Sequence, residues 1–209
     1  MVDGLVGSEM CIRDRLRIGR QLARESFIDA DMVIGIPDSG IPAAIGFSQE
    51  SGIPYAEGLI KNRYVGRTFI QPTQHMRESG IRMKLNPLKD VLEGKRVIMV
   101  DDSIVRGNTS KKIVKALQDS GAKEVHMRIS SPPVTHPCFY GIDTDNQEQL
   151  IGATKSVAEI ATQIGVESLA YLSWEGMLKS TKEDPNSFCS ACFTGNYPIP
   201  LPQRLKRSK

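Results

Sequence analysis

Long apolar runs are missing from this 209-residue sequence. No stretch reaches the about 18 residues that a membrane-spanning helix needs, so no membrane partner is expected. Cysteine is sparse at four residues, too few for a disulfide scaffold, and a cytoplasmic protein is expected. Two of the four stand as Cys189-Ser-Ala-Cys192, a spacing better suited to a metal or cluster than to a staple. A strong charge of one sign is missing too. The net charge is +3, and apart from the tail Arg204–Lys209 the basic residues are scattered, so no nucleic-acid partner is indicated. Met1–Arg15 carries acids at Asp3, Glu9 and Asp14 and no apolar core of signal-peptide length. What is present is an ordinary globular composition, 40% apolar and 24% charged, on a length able to bury a core.

Along the chain, two periodicities alternate. Leu16–Ser26 has the spacing of an amphipathic helix, through Leu16, Ile18, Leu22 and Ala23. Asp31–Pro37 is short, nearly all apolar and β-branched, as parallel strands buried on both faces are. It gives way through Pro37-Asp38-Ser39-Gly40 to a helix-like Ile41–Glu50, and Ile53–Leu59 reads as strand again. Arg63–Asn86, rich in Lys and Arg with little periodicity, predicts a long functional loop. Lys95–Asp102 is the strongest strand signal, followed by a helix over Thr109–Ser120 that Gly121 stops. A strand over Glu124–Ser130, a helix over Ser156–Ile164 and a strand over Ser168–Leu172 complete the series. Strands alternating with helices predict an α/β domain with a mostly parallel sheet.

The stretch from Val97 to Ser110 carries the most chemistry. A buried strand delivers the carboxylates of Asp101 and Asp102 at its C-terminal end, where ligands bind in open α/β sheets. Gly107 has no Cβ, so backbone N–H groups can approach a phosphate there. Asn108, Thr109 and Ser110 supply donors and open a helix whose N-terminus favours an anion. Taken singly, paired aspartates could merely cap a helix and Gly-Asn-Thr is a common turn. A Walker-type loop is excluded, because Gly-x4-Gly-Lys-[Ser/Thr] does not occur.

Read together, the apolar strand, Asp101-Asp102, and Gly107-Asn108-Thr109-Ser110 resemble the phosphoribosyl-diphosphate (PRPP) loop of type I phosphoribosyltransferases. Lys61–Ile70 with Arg82–Asn86 resembles the flexible loop of the glutamine PRPP amidotransferases, and Val33–Ile45 is similar to their pyrophosphate loop. Pro132–Asp143 is similar to a further segment of that family. The likeness runs from about Leu16 to Pro198. It implies the type I phosphoribosyltransferase fold, an α/β fold. It also implies a pentosyl-transferring glycosyltransferase that converts PRPP and ammonia to 5-phosphoribosylamine and pyrophosphate, the first step of de novo purine synthesis.

By that resemblance Asp101 and Asp102 meet the ribose hydroxyls and, with Ser39, the Mg2+ shell. Gly107, Asn108, Thr109 and Ser110 hold the 5′-phosphate, Ser103 and Arg106 of the same loop also bind substrate, and Asp38, Ser39 and Gly40 lie on the pyrophosphate side. Lys61, Arg67 and Lys84 belong to the loop that closes on the leaving group. Cys138, Cys189 and Cys192 match three ligands of the [4Fe–4S] cluster found in a Gram-positive-like subset. The segment bearing the fourth ligand has no counterpart here, and the context of Cys11 matches none of it. Without the resemblance, zinc or plain buried thiols remain open for these cysteines.

The expected division is a non-matching tail at 1–15, the phosphoribosyltransferase domain at 16–180, and a cysteine-bearing segment with a basic tail at 181–209. The resemblance further implies a glutaminase part that is absent from this sequence, purine nucleotides as feedback inhibitors, and a homo-oligomer when intact. Two rivals remain. A base-salvage phosphoribosyltransferase is opposed by the Arg63–Phe69 loop and the Cys-x-x-Cys pair. A PRPP-binding regulator would be expected to carry a nucleic-acid module, and none is visible.

Overall fold

The computed structural model describes residues 9–62, 85–142, 144, 146–182 and 184–200. Four parallel strands form its sheet: β1 (Met32–Gly35), β4 (Arg96–Asp101), β5 (Glu124–Ile129) and β6 (Ser168–Tyr171), side by side in that order. A second, antiparallel ribbon joins β2 (Leu59–Lys61) to β3 (Leu85–Pro87). The helices are α1 (Glu9–Ser26), α2 (Ile41–Ser51), α3 (Lys89–Leu92), α4 (Asn108–Asp119), α5 (Ile151–Thr154), α6 (Val157–Ile164), α7 (Trp174–Thr181) and α8 (Ala191–Thr194). The expected α/β architecture with a parallel sheet is what forms.

Alternation along the buried strands divides the core in two, because successive side chains leave a strand on opposite faces. Met32, Ile34, Val97, Met99, Val125 and Met127 pack on one face with Ile113, Val114 and Leu117 of α4 and Ile160 and Ile164 of α6. Val33, Ile98 and Val100 pack on the other with Ile18, Leu22 and Ala23 of α1 and Ala43, Ala44 and Phe47 of α2. The helix after β1 and the helix after β4 therefore lie on opposite faces of the sheet. That reversal between neighbouring strands opens a crevice at their C-terminal ends, the place where doubly wound sheets bind ligands.

Some elements differ from the sequence expectation. α1 runs N-terminal of Leu16, helical from the first described residue, Glu9. Ile53–Leu59 does not form a strand along its length. Only Tyr55 bridges Val33, and pairing resumes at Leu59. Pro54 has no N–H to give a ladder, and its carbonyl serves Val33 instead. α7 was not signalled, although Ser173 caps it by accepting from the Gly176 N–H. The Ser156–Ile164 expectation holds, with Ser156 and Glu159 forming a reciprocal capping box before α6.

Candidate active site

Two loops meet at the crevice. The first leaves β1 through Pro37-Asp38-Ser39-Gly40 and enters α2. It is tied to the neighbouring strand, since the Ile36 N–H donates to the Val100 carbonyl at 2.9 Å and the Gly40 N–H to the Ile36 carbonyl at 2.9 Å. A Cβ on Gly40 would stand 2.5 Å from the Val100 carbonyl oxygen, so only glycine lets this loop lie against β4. Asp38 is exposed and ion-paired with Lys61, the last residue of β2. On the other side the Arg15 guanidinium, from α1, donates to the Ser39 carbonyl at 3.1 Å.

The second loop leaves β4. Asp101 ends the strand, and its carbonyl accepts from the Ser130 N–H at 2.9 Å and the Ser130 hydroxyl at 3.0 Å. Its side chain accepts from the Asp102 N–H at 2.9 Å, and the Asp102 carboxylate accepts from the Ser103 hydroxyl at 3.1 Å. Ile104 is buried and anchors the middle of the loop. Gly107 then turns into α4 with a left-handed φ of 76°, and a Cβ there would meet the Ile151 side chain at 3.0 Å. No side chain caps α4, so its first-turn donors face outward from a 12-residue helix. Asn108 and Thr109 are exposed beside it, while Ser110 is buried. Arg106 is exposed on the same loop.

The electrostatics favour a cation over the aspartates. Burial lifts the Asp101 carboxyl to about 7, and the neighbouring Asp102 charge adds to the effect. A divalent ion held by Asp101, Asp102 and the Ser39 hydroxyl would offset both effects by favouring the charged carboxylates, and an all-oxygen donor set suits Mg2+. Lys61, Asp38, Ser39, Gly40, Asp101, Asp102 and Ser103 through Ser110 all belong to these two loops and the β2 end. Arg67 and Lys84 lie outside the described residues. Arg15 and Ser130 were missed by sequence reasoning. Each acts through a backbone carbonyl far away in the chain, which leaves no motif to read.

The cysteines occupy a separate region. The C-terminal segment returns to Pro132–Thr144: the Cys192 carbonyl accepts from the N–H groups of Thr135 and His136, and the Thr135 hydroxyl donates to the Phe193 carbonyl at 3.0 Å. Burial pushes the Cys192 thiol up, and Cys138 and Cys189 add to the shift, so the three share a neighbourhood. They do not form a ready centre. Among the described residues no three His, Cys, Asp or Glu side chains are gathered to hold a metal ion. The Cys138 sulfur instead accepts from the Tyr140 N–H at 3.4 Å. Cys11 stands on α1.

Residues 12–130 match the family model of the phosphoribosyl transferase domain. The chain belongs to that family. It is 74% identical over 207 residues to an amidophosphoribosyltransferase of Synechocystis sp., covering 99% of this chain and 42% of the relative. The amidophosphoribosyltransferase of Bacillus subtilis is 58% identical over 193 residues, 90% of this chain and 40% of the relative. The solved glutamine PRPP amidotransferase of B. subtilis, in complex with ADP and GMP, superposes with a TM-score of 0.83 at 56% identity, over 92% of this chain and 43% of that one. The chain thus spans about two fifths of the length of these relatives. No described helix is long and apolar enough to cross a membrane.

Proposed function

We propose that this chain transfers the phosphoribosyl group of PRPP to ammonia, as the phosphoribosyl part of a cytoplasmic amidophosphoribosyltransferase acting in purine biosynthesis. The observation that carries the reading is the juxtaposition of the Asp101-Asp102 strand end with the uncapped α4 N-terminus behind Gly107. The α4 N-terminus and the Asn108, Thr109 and Ser110 donors receive the 5′-phosphate, with Ser103 and Arg106 on the same loop. Asp101 and Asp102 orient the ribose through its hydroxyls. Asp38, Ser39 and Gly40 form the pyrophosphate side, where Lys61 exchanges its Asp38 partner for the leaving group. Arg67 and Lys84 complete the closure that excludes water. Ammonia attacks C1 of the ribose, the bond to pyrophosphate breaks, and the nitrogen sheds one proton to solvent. Mg2+ held by Asp101, Asp102 and Ser39 would supply charge neutralisation on the pyrophosphate.

Cys138, Cys189 and Cys192 are the thiols that would serve a [4Fe–4S] cluster in the whole enzyme. As described they fit such a cluster only in part, and no step of the transfer passes through it. The ADP and GMP of the B. subtilis relative support purine nucleotides as feedback ligands, and a homo-oligomer is proposed for the whole enzyme. The test is pyrophosphate release by the purified chain. We expect turnover with PRPP, Mg2+ and ammonium, and none when glutamine is the only nitrogen source. No pyrophosphate release from PRPP with Mg2+ and ammonium would overturn the reading.

A further inference from the structure

We infer that Arg15 is a positioning residue of the pyrophosphate side, acting through the Ser39–Gly40 peptide. The inference rests on the phosphoribosyl-transfer reading. α1 and α2 cross at backbone distance: a Cβ on Gly19 would stand 1.9 Å from the Ala43 carbonyl oxygen, and one on Gly46 would stand 2.1 Å from that of Leu16. This crossing brings the part-buried Arg15 to the loop that opens α2, where it donates to the Ser39 carbonyl at 3.1 Å. The same peptide's N–H, on Gly40, donates to the Ile36 carbonyl at 2.9 Å. Both ends of the peptide plane are thereby fixed.

Fixing that plane leaves a defined set of donors. Among the described residues, the N–H groups of Asp38 and Ser39 have no hydrogen-bond partner, and neither does the Ser39 hydroxyl. Unpaired successive N–H groups in a turn make a concavity for anion oxygens. Arg15 also pairs with no carboxylate among the described residues, so its charge adds to the potential at the loop. Lys61 holds the opposite side of the same loop through Asp38. Two cations from two distant elements thus bracket four residues, and only the Arg15 contact orients the backbone.

The test compares Arg15→Ala, Arg15→Lys and Arg15→Gln with the unaltered 209-residue chain, in ammonium-dependent turnover and in product inhibition by pyrophosphate. For Arg15→Ala we expect KM for PRPP and the inhibition constant of pyrophosphate to rise together about tenfold, the worth of one charge-assisted hydrogen bond. Change in kcat should be smaller, and Tm should stay within about 3 °C, as for a part-buried surface contact. Arg15→Lys, which keeps one donor and the charge, should recover most of the loss. A KM within twofold of the unaltered chain in Arg15→Ala would overturn the inference, as would a fall in kcat with KM unmoved. If Arg15→Ala does not fold, Arg15→Gln is read against the same limits. An unaltered chain that turns over PRPP beside an indifferent Arg15→Ala sinks this inference alone. An unaltered chain that neither binds nor converts PRPP sinks both.

Discussion

Asp101 ends β4 with a carboxyl pushed up to about 7 by burial and by the charge of Asp102. Its ordinary value is 3.8. Between those values the folded chain holds a proton that the unfolded chain has released, so this group makes stability fall as pH rises from about 4 to about 7, with no further change above. Asp101→Asn removes the effect. Its Tm is expected to lie above that of the unaltered chain at pH 8 and to match it near pH 4, measured by thermal unfolding without Mg2+. Turnover of the same variant should fall about a hundredfold or more, because in the proposed reaction the replaced charge would orient the ribose and hold its cation. A Tm difference that does not change with pH would show that the carboxylate is not strained by its site. Gly107 belongs to the same scale, since its left-handed φ of 76° and the nearby Ile151 side chain both demand a residue without a Cβ.

At the scale of elements, the α1–α2 crossing controls the site from behind. Gly19 and Gly46 let the two backbones touch, and each replaces a side chain with a carbonyl contact. Gly19→Ala gains helix propensity of about 1 kcal/mol but puts a methyl group 1.9 Å from the Ala43 carbonyl oxygen. Overpacking of that kind costs about 1–3 kcal/mol or more and here meets backbone, which cannot rotate away. The expected outcome is a lower Tm and a raised KM for PRPP, since separating the helices also withdraws Arg15 from Ser39. Thermal unfolding and ammonium-dependent kinetics on the one variant check both halves. The β2–β3 ribbon is the other element that matters. It joins the two flanks of the segment containing Arg67 and ends in Lys61, so that residue's pairing with Asp38 is fixed by strand register.

For the whole molecule, Arg128 is a buried polar tie between distant elements. It is 4% exposed and donates to the Ser26 carbonyl at the end of α1, to the Met127 carbonyl, and to the Ser168 hydroxyl on β6. Burial, with no carboxylate paired to it among the described residues, pushes its guanidinium down to about 10. Arg128→Ala should lower stability by about 2–4 kcal/mol through a cavity and orphaned carbonyls, read as a denaturant midpoint shift with unchanged slope. The parallel α/β alternation was legible along the chain, because buried strands and amphipathic helices write their periods locally. The sequence by itself also carried the Asp101–Ser110 chemistry, because all of those residues sit on one strand end and one turn. The single bridge at Tyr55 and the α7 helix were not legible, since neighbours distant in sequence set them. Tertiary structure alone decided that the helices after β1 and β4 diverge to open the crevice. It alone brought Arg15 to Ser39, Lys61 to Asp38, and the Cys192 segment back to Thr135. These contacts join backbone groups and charges across 23 to 58 residues, and a carbonyl offers the same acceptor whatever residue bears it.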